Sequence, residues 1–345
     1  MKAGLQIVIL LLMSTPALAE PPYSGTVFID SDILTADDPS TFVQVIAAGS
    51  GSRQMYDRRA SNGAGAFVNI DALLFNAHFT DSGVVEIQVN PEFTASEAAT
   101  KAAFYGHAIG QLPAALRVDV QTVGIHKGDQ AFGGGNNNIL IHTDAAGYHG
   151  VWLEETIFHE ACHTSLDSKV ANTSAWLNAQ STDPDFISTY ARDNPDREDV
   201  AESCLPYFAQ RHREDRIDAG TLATINGSIP NRAAVLDSHN INPVSSSDRV
   251  SFFDEASLKL TLTGVKVGDV HYEVILSLVD AGSLLFTADT ANLTAAPNSS
   301  SASTYADGVV AVPLLLAAGQ RYSVSLSLQN ENPVQFRLVS AEELP

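Results

Sequence analysis

His159-Glu160-Ala161-Cys162-His163 constrains this chain more than any other stretch, because two imidazoles four residues apart reach one ion only if the segment is helical. On an α-helix, positions i and i+4 share a face about 6 Å apart along the axis. The surroundings agree. Trp152, Thr156, His159, His163 and Asp167 follow one stripe, while Leu153, Ile157, Phe158 and Ala161 form an apolar flank for burial. With 10 His and 15 Glu in 345 residues, the pattern arises by chance about 0.01 times per chain. A helix is therefore expected over Val151 to Asp167, carrying a metal-binding pair.

A hydrolytic zinc site takes three protein ligands and keeps one position for water. The metzincin pattern would need Gly at 166 and His at 169, and those positions hold Leu166 and Lys169. A better third ligand lies downstream in Asn194-Pro195-Asp196-Arg197-Glu198-Asp199-Val200-Ala201-Glu202. Asn194 caps a helix running to about His212, Pro195 occupies its first turn, and Glu198 and Glu202 stand four apart on one face. One carboxylate can bind the ion while the other holds the ring N–H of a ligating His. Glu202 and Asp167 are the alternative third ligands. Asp167 also reads as a hydrogen-bond partner or a solvated helix end, and Glu154 and Glu155 read as surface charges complementing the helix dipole.

The His-Glu-x-x-His helix followed by Tyr190-Ala-Arg-Asp-Asn-Pro-Asp-Arg-Glu198-Asp-Val-Ala-Glu202 resembles the gluzincin metallopeptidases, particularly the lethal-factor-like branch. The similarity spans about 139–208. It implies a zincin-like α+β catalytic domain holding one Zn2+, with His159, His163 and Glu198 as ligands, Glu160 as catalytic base, Glu202 behind the ligands and Tyr190 as transition-state stabiliser. The chemistry also follows without the family. Zinc lowers the pKa of bound water to about 7, and Glu160 can take its proton and pass it to the leaving amine. The oxyanion needs a donor besides the metal, which Tyr190, or else His142, Tyr148 or His149, could supply. The preceding segment, Ile139 to His142, reads as a strand whose edge could receive an extended peptide.

Elsewhere the pattern gives the frame. Thr26 to Ile29 and Val84 to Val89 read as strands, and the Ala-rich run from Thr94, with Glu97 behind a Thr cap, as a helix ending near Leu112-Pro113. Val118 to His126 is strand-like, and Gly133 to Asn138 reads as a turn. A phosphate loop is excluded there because no Lys-Ser or Lys-Thr follows. Composition shifts over Asp237 to Asp248, so a catalytic domain over 20–240 is expected to precede a β-sandwich-like accessory domain over 250–345. Strict alternation in Ser257 to Thr263, Tyr272 to Leu278 and Tyr322 to Leu328 supports that all-β half.

Residues 1–19 combine Lys2, an apolar run from Leu5 to Met13, and Ala17-Leu18-Ala19, the layout of a cleaved signal peptide. A secreted or periplasmic protein without membrane insertion after cleavage is expected. In such a compartment Cys162 and Cys204, the only cysteines, can pair and close a loop of about 43 residues, or stay as two buried thiols. A formal charge of −21 argues against nucleic acid and anionic membranes as partners. The partners expected are a protein or peptide substrate and a glycan or protein ligand of the C-terminal domain. Two rival readings are an extracellular binding or adhesion protein with a vestigial metal site, and a zinc hydrolase of non-peptide amides.

Overall fold

The computed structural model describes residues 20–80, 83–245, 250–255, 257–294, 302–318 and 320–344. The expected leader, 1–19, lies outside the described residues. Six strands make the first sheet: β1 (Phe42–Asp57), β2 (Ala66–Phe79), β3 (Val84–Val89), β4 (Thr122–His126), β5 (Gly133–Gly135) and β6 (Asn138–His142), ordered β1-β2-β3-β4-β6-β5. β1, β2 and β3 form an antiparallel meander; β3, β4 and β6 run parallel; β5 returns antiparallel to β6 at the edge. The parallel step from β3 to β4 requires a crossover, which the helix Ala95–Gly110 begins. Its start is the expected capping box, with Thr94 accepting from the Glu97 N–H and Glu97 reaching back to the Thr94 N–H.

The structure departs from or adds to the sequence reading in three places. The long hairpin β1–β2 has no counterpart in the sequence reading; the middle of β1 is exposed and its register shifts between Ala47 and Ser50, which breaks the period-two signal there. Thr26 to Ile29 is not a strand. Tyr23 makes one parallel bridge to Ser188, and the carbonyls of Tyr23 and Ser24 accept from the N–H groups of Thr189 and Tyr190 at 2.8 and 3.2 Å. The partner of this segment is thus the start of the short helix Thr189–Asp193, with its cap Ser188, rather than a strand. The polar segment between Val170 and Asn194, which carries no strong pattern, contains a helix, Ser174–Thr182, begun by Thr173 accepting from the Trp176 N–H.

The core lies between the parallel strands and two long helices. Ile87, Val123, Ile125, Ile139 and Ile141 bury completely, together with Ile157, Phe158 and Ala161 of the helix Leu153–Val170 and Ala201, Leu205 and Phe208 of the helix Asp199–His212. Fully burying such a side chain stabilises by roughly 1.5–3 kcal/mol. Phe158 and Phe208 meet at 4.8 Å between ring centroids, and Cys162 and Cys204 are disulfide-bonded with a Cα–Cα distance of 6.5 Å. The two helices are therefore joined covalently and by packing.

After Leu236 the helical pattern gives way to an all-β region, with strands β7 (Ser251–Asp254), β8 (Lys259–Val267), β9 (Val270–Asp280), β10 (Leu285–Thr294), β11 (Thr304–Ala306), β12 (Val309–Ala317), β13 (Gln320–Glu331) and β14 (Val334–Glu343). They form one sheet, β11-β12-β13-β14-β10-β9-β8-β7, whose ends meet through parallel pairings of β11 with β8 and β12 with β7. This barrel-like closure replaces the expected two-sheet sandwich. Alternation gives strands one apolar face but leaves open whether that face closes on itself or on a second sheet. Leu260, Leu262, Leu276, Val312, Val324 and Leu326 fill the interior. Among the described residues, no helix is long and apolar enough to cross a membrane.

Candidate metal centre

His159, Glu160 and His163 project from the middle of Leu153–Val170; His159 and Glu160 are buried beside the apolar flank, and His163 is partly buried. The His159 and His163 rings lie 4.8 Å apart at 85°. The third group arrives differently from expectation. Asn194 does not cap a helix: the helix begins at Asp199, and residues 194–198 form a turn in which the Asn194 carbonyl accepts from the N–H of Arg197 and Glu198 at 3.0 and 2.9 Å. Glu198 occupies the position just before the helix. Its carbonyl accepts the Glu202 N–H at 2.8 Å, so the two acids still stand one turn apart.

Ligand atoms of His159, His163 and Glu198 lie within 4.8 Å of one another. Glu198 Oε2 is 3.1 Å from His163 Nε2, and the other nitrogen of that ring, Nδ1, is 2.8 Å from Asp167 Oδ2. Burial pulls His163 down, but its hydrogen bonds to Asp167 and Glu198 outweigh that and push it above the ordinary imidazole range. Burial likewise opposes ionisation of Glu198, and the bond from His163 overcomes it, leaving the carboxyl well below its usual range. Nε2 and Oε2 thus face each other as donor and acceptor, and a divalent cation bound between them would need the ring neutral and the acid ionised. Burial, followed by the charge of His163, holds His159 at about 3, hence neutral. Two neutral-capable imidazoles and a carboxylate are a donor set that zinc accepts.

Glu202 Oε1 stands 3.8 Å from His159 Nδ1, beyond hydrogen-bond range, and its Oε2 accepts from Ser188 Oγ at 2.5 Å. Burial raises Glu202 to about 7. Tyr190 Oη donates to Glu198 Oε1 at 2.9 Å, and burial followed by this bond raises Tyr190 to about 12. Among the other donors considered, His142 is fully buried, with Nδ1 3.1 Å from the Lys127 carbonyl, and His149 is engaged by Tyr105 Oη at 2.9 Å; Tyr148 lines the cleft. Glu154 and Glu155 are not surface charges. Both are buried, and Glu155 Oε1 accepts the N–H of Ile33 at 3.0 Å and of Leu34 at 3.4 Å.

The site opens into a cleft of about 620 Å³ lined by Glu160 together with Phe28 and Tyr148. Burial, more than any charge, pushes Glu160 up to about 7. One wall is the glycine run, and here the turn expectation is corrected. Gly133–Gly135 is itself the edge strand, the turn is confined to Asn136 and Asn137 at φ 50° and 57°, and β6 is paired on both sides. The edge strand is therefore β5, which covers Asn138–Leu140 of β6 and whose Gly135 N–H donates to Thr164 Oγ1 at 2.9 Å. A Cβ on Gly134 would sit 1.9 Å from the Glu160 carbonyl oxygen, so only glycine lets this strand lie against the helix. No family model, curated protein or solved structure matches the chain in comparison.

Proposed function

We propose that this chain is a secreted or periplasmic zinc-dependent endopeptidase of gluzincin type, with a zincin-like catalytic domain and an all-β accessory domain. The observation that carries the reading is the convergence of His159, His163 and Glu198 on one point beside Glu160, in an open cleft. A structural zinc site is closed, whereas a hydrolytic one faces substrate. The signal-like leader and the disulfide support the compartment.

When bound, zinc would supply Lewis acidity for a peptide carbonyl and a lowered pKa for its water. His159, His163 and Glu198 would hold the ion, and Asp167 fixes the tautomer and direction of His163 through Nδ1. Glu160 takes the proton of the attacking water and delivers it to the leaving amine. Tyr190, tied to Glu198 in this structure, positions that carboxylate and stands beside the cleft as the donor for a developing oxyanion. The edge of β5 offers main-chain pairing to an extended peptide. Glu160 also separates this reading from a binding protein with a vestigial site, which has no use for a carboxylate there.

The test is degradation of a mixed peptide library by zinc-loaded protein, with and without chelator. Glu160→Gln should bind zinc stoichiometrically and cleave nothing, while Glu198→Ala should lose both metal and activity. Hydrolysis by Glu160→Gln removes the assigned base, and full zinc occupancy in Glu198→Ala removes Glu198 from the ligand set.

A further inference from the structure

Five arginines in this acid-rich chain are taken up by carboxylates: Arg53 forks onto Glu86, Arg59 onto Asp57, Arg211 onto Asp237, Arg216 onto Asp38, and Arg232 reaches Asp183 and Asp199. Arg58 is different. It follows β1 directly, and its Nη2 donates to the Phe132 carbonyl at 2.7 Å, just before β5, while its Nε is buried with no hydrogen-bond partner. Among the described residues it pairs with no carboxylate, although its charge reaches Glu160. A guanidinium presents five donors in a rigid fork suited to a carboxylate, and leaving the buried Nε donor without an acceptor is costly.

Its position supplies a use. Arg58, Gly133 and Gly134 border both the cleft and a second hollow of about 350 Å³ across β5. That hollow is lined by neutral groups, including Gln54, Tyr56, Gln88, Thr122 and Asn138, and by no carboxylate. The metal side of the cleft, by contrast, carries Asp167, Asp196, Glu198 and Glu202. An anionic substrate group at this junction meets Arg58 with no carboxylate competing for it, whereas Arg197, the other arginine lining the cleft, already donates to Glu198 Oε1 at 3.3 Å.

We propose that Arg58 receives a carboxylate of the substrate, at the junction of the cleft and the second hollow, and so selects for it near the scissile bond. The proposal rests on the peptidase reading for its substrate class. Its chemistry admits an acidic side chain or a free C-terminus, and the test separates them.

Zinc-loaded full-length protein is given matched peptides with Glu or Gln flanking the cleaved bond, each with a free or amidated C-terminus. The carboxylate form should be preferred by about 10- to 100-fold in kcat/KM, chiefly through KM. Arg58→Gln should bring that ratio to about one, and Arg58→Lys should keep part of it. Preference following Glu assigns a side chain; preference following the free terminus assigns the chain end. Equal rates in the unaltered protein overturn the proposal, as does an unchanged ratio in Arg58→Gln, even if all rates fall together. If no peptide is cut, the peptidase reading fails separately. Calorimetric titration of Glu160→Gln protein with hexapeptides differing in one central Glu or Gln still decides Arg58, and equal binding of the two would reject it.

Discussion

Glu155 gives the sharpest test of the fold's electrostatics, independent of any activity. The carboxyl is fully buried, accepts from the N–H of Ile33 and Leu34 through Oε1, and leaves Oε2 without a partner. Burial raises it from 4.5 to about 9. The folded protein therefore keeps a proton that the unfolded chain releases. The resulting stability is fully present below pH 4.5, declines as pH rises, and stops declining near pH 9. Within that window the loss is about 1.4 kcal/mol per pH unit, or about 3 kcal/mol from pH 5.5 to 7.5. Glu155→Gln keeps the acceptor for Ile33 and cannot ionise. Comparison by urea unfolding at the two pH values cancels every other titrating group. The variant should gain about 3 kcal/mol relative to the unaltered protein between pH 5.5 and 7.5. An equal difference at both pH values would refute the argument, whatever its sign.

Other perturbations probe the site. Gly134→Ala should cost about 1–3 kcal/mol and roughly 100-fold in hydrolysis, because its Cβ forces β5 and the Glu160 backbone apart; Gly147→Ala, with nothing within 4 Å, is the control, and an indifferent Gly134→Ala removes that contact. Replacing Cys162 and Cys204 with Ser opens a link between residues 42 apart and should lower stability by about 4 kcal/mol, read from the urea midpoint at constant slope. A loss under about 1 kcal/mol would show that helix packing alone sets the geometry. Asp167→Asn weakens the partner of His163 Nδ1 and should reduce zinc affinity about 10- to 100-fold in chelator competition. Unchanged affinity would leave Asp167 a helix-end residue.

Much of this protein is local physics and so can be read along the chain. Two histidines four apart on an amphipathic stripe specify a helix and a shared face, Thr94 and Glu97 specify a helix start, and period-two runs after Asp237 specify strands. Other features depend on groups distant in sequence. Glu155 looks like a dipole-complementing surface charge until the Ile33–Leu34 backbone is brought 121 and 122 residues back to cover it. Gly133–Gly135 looks like a turn until the Glu160 carbonyl approaches too closely for any side chain. Arg58 has no motif at all, and its character appears only when Phe132 and the cleft close around it. Whether alternating strands form a sandwich or a barrel is likewise decided by which strand ends meet, as β11 with β8 and β12 with β7 do here. Periodicity records which side of an element is apolar; burial, pairing and closure are settled only when that side finds its partner.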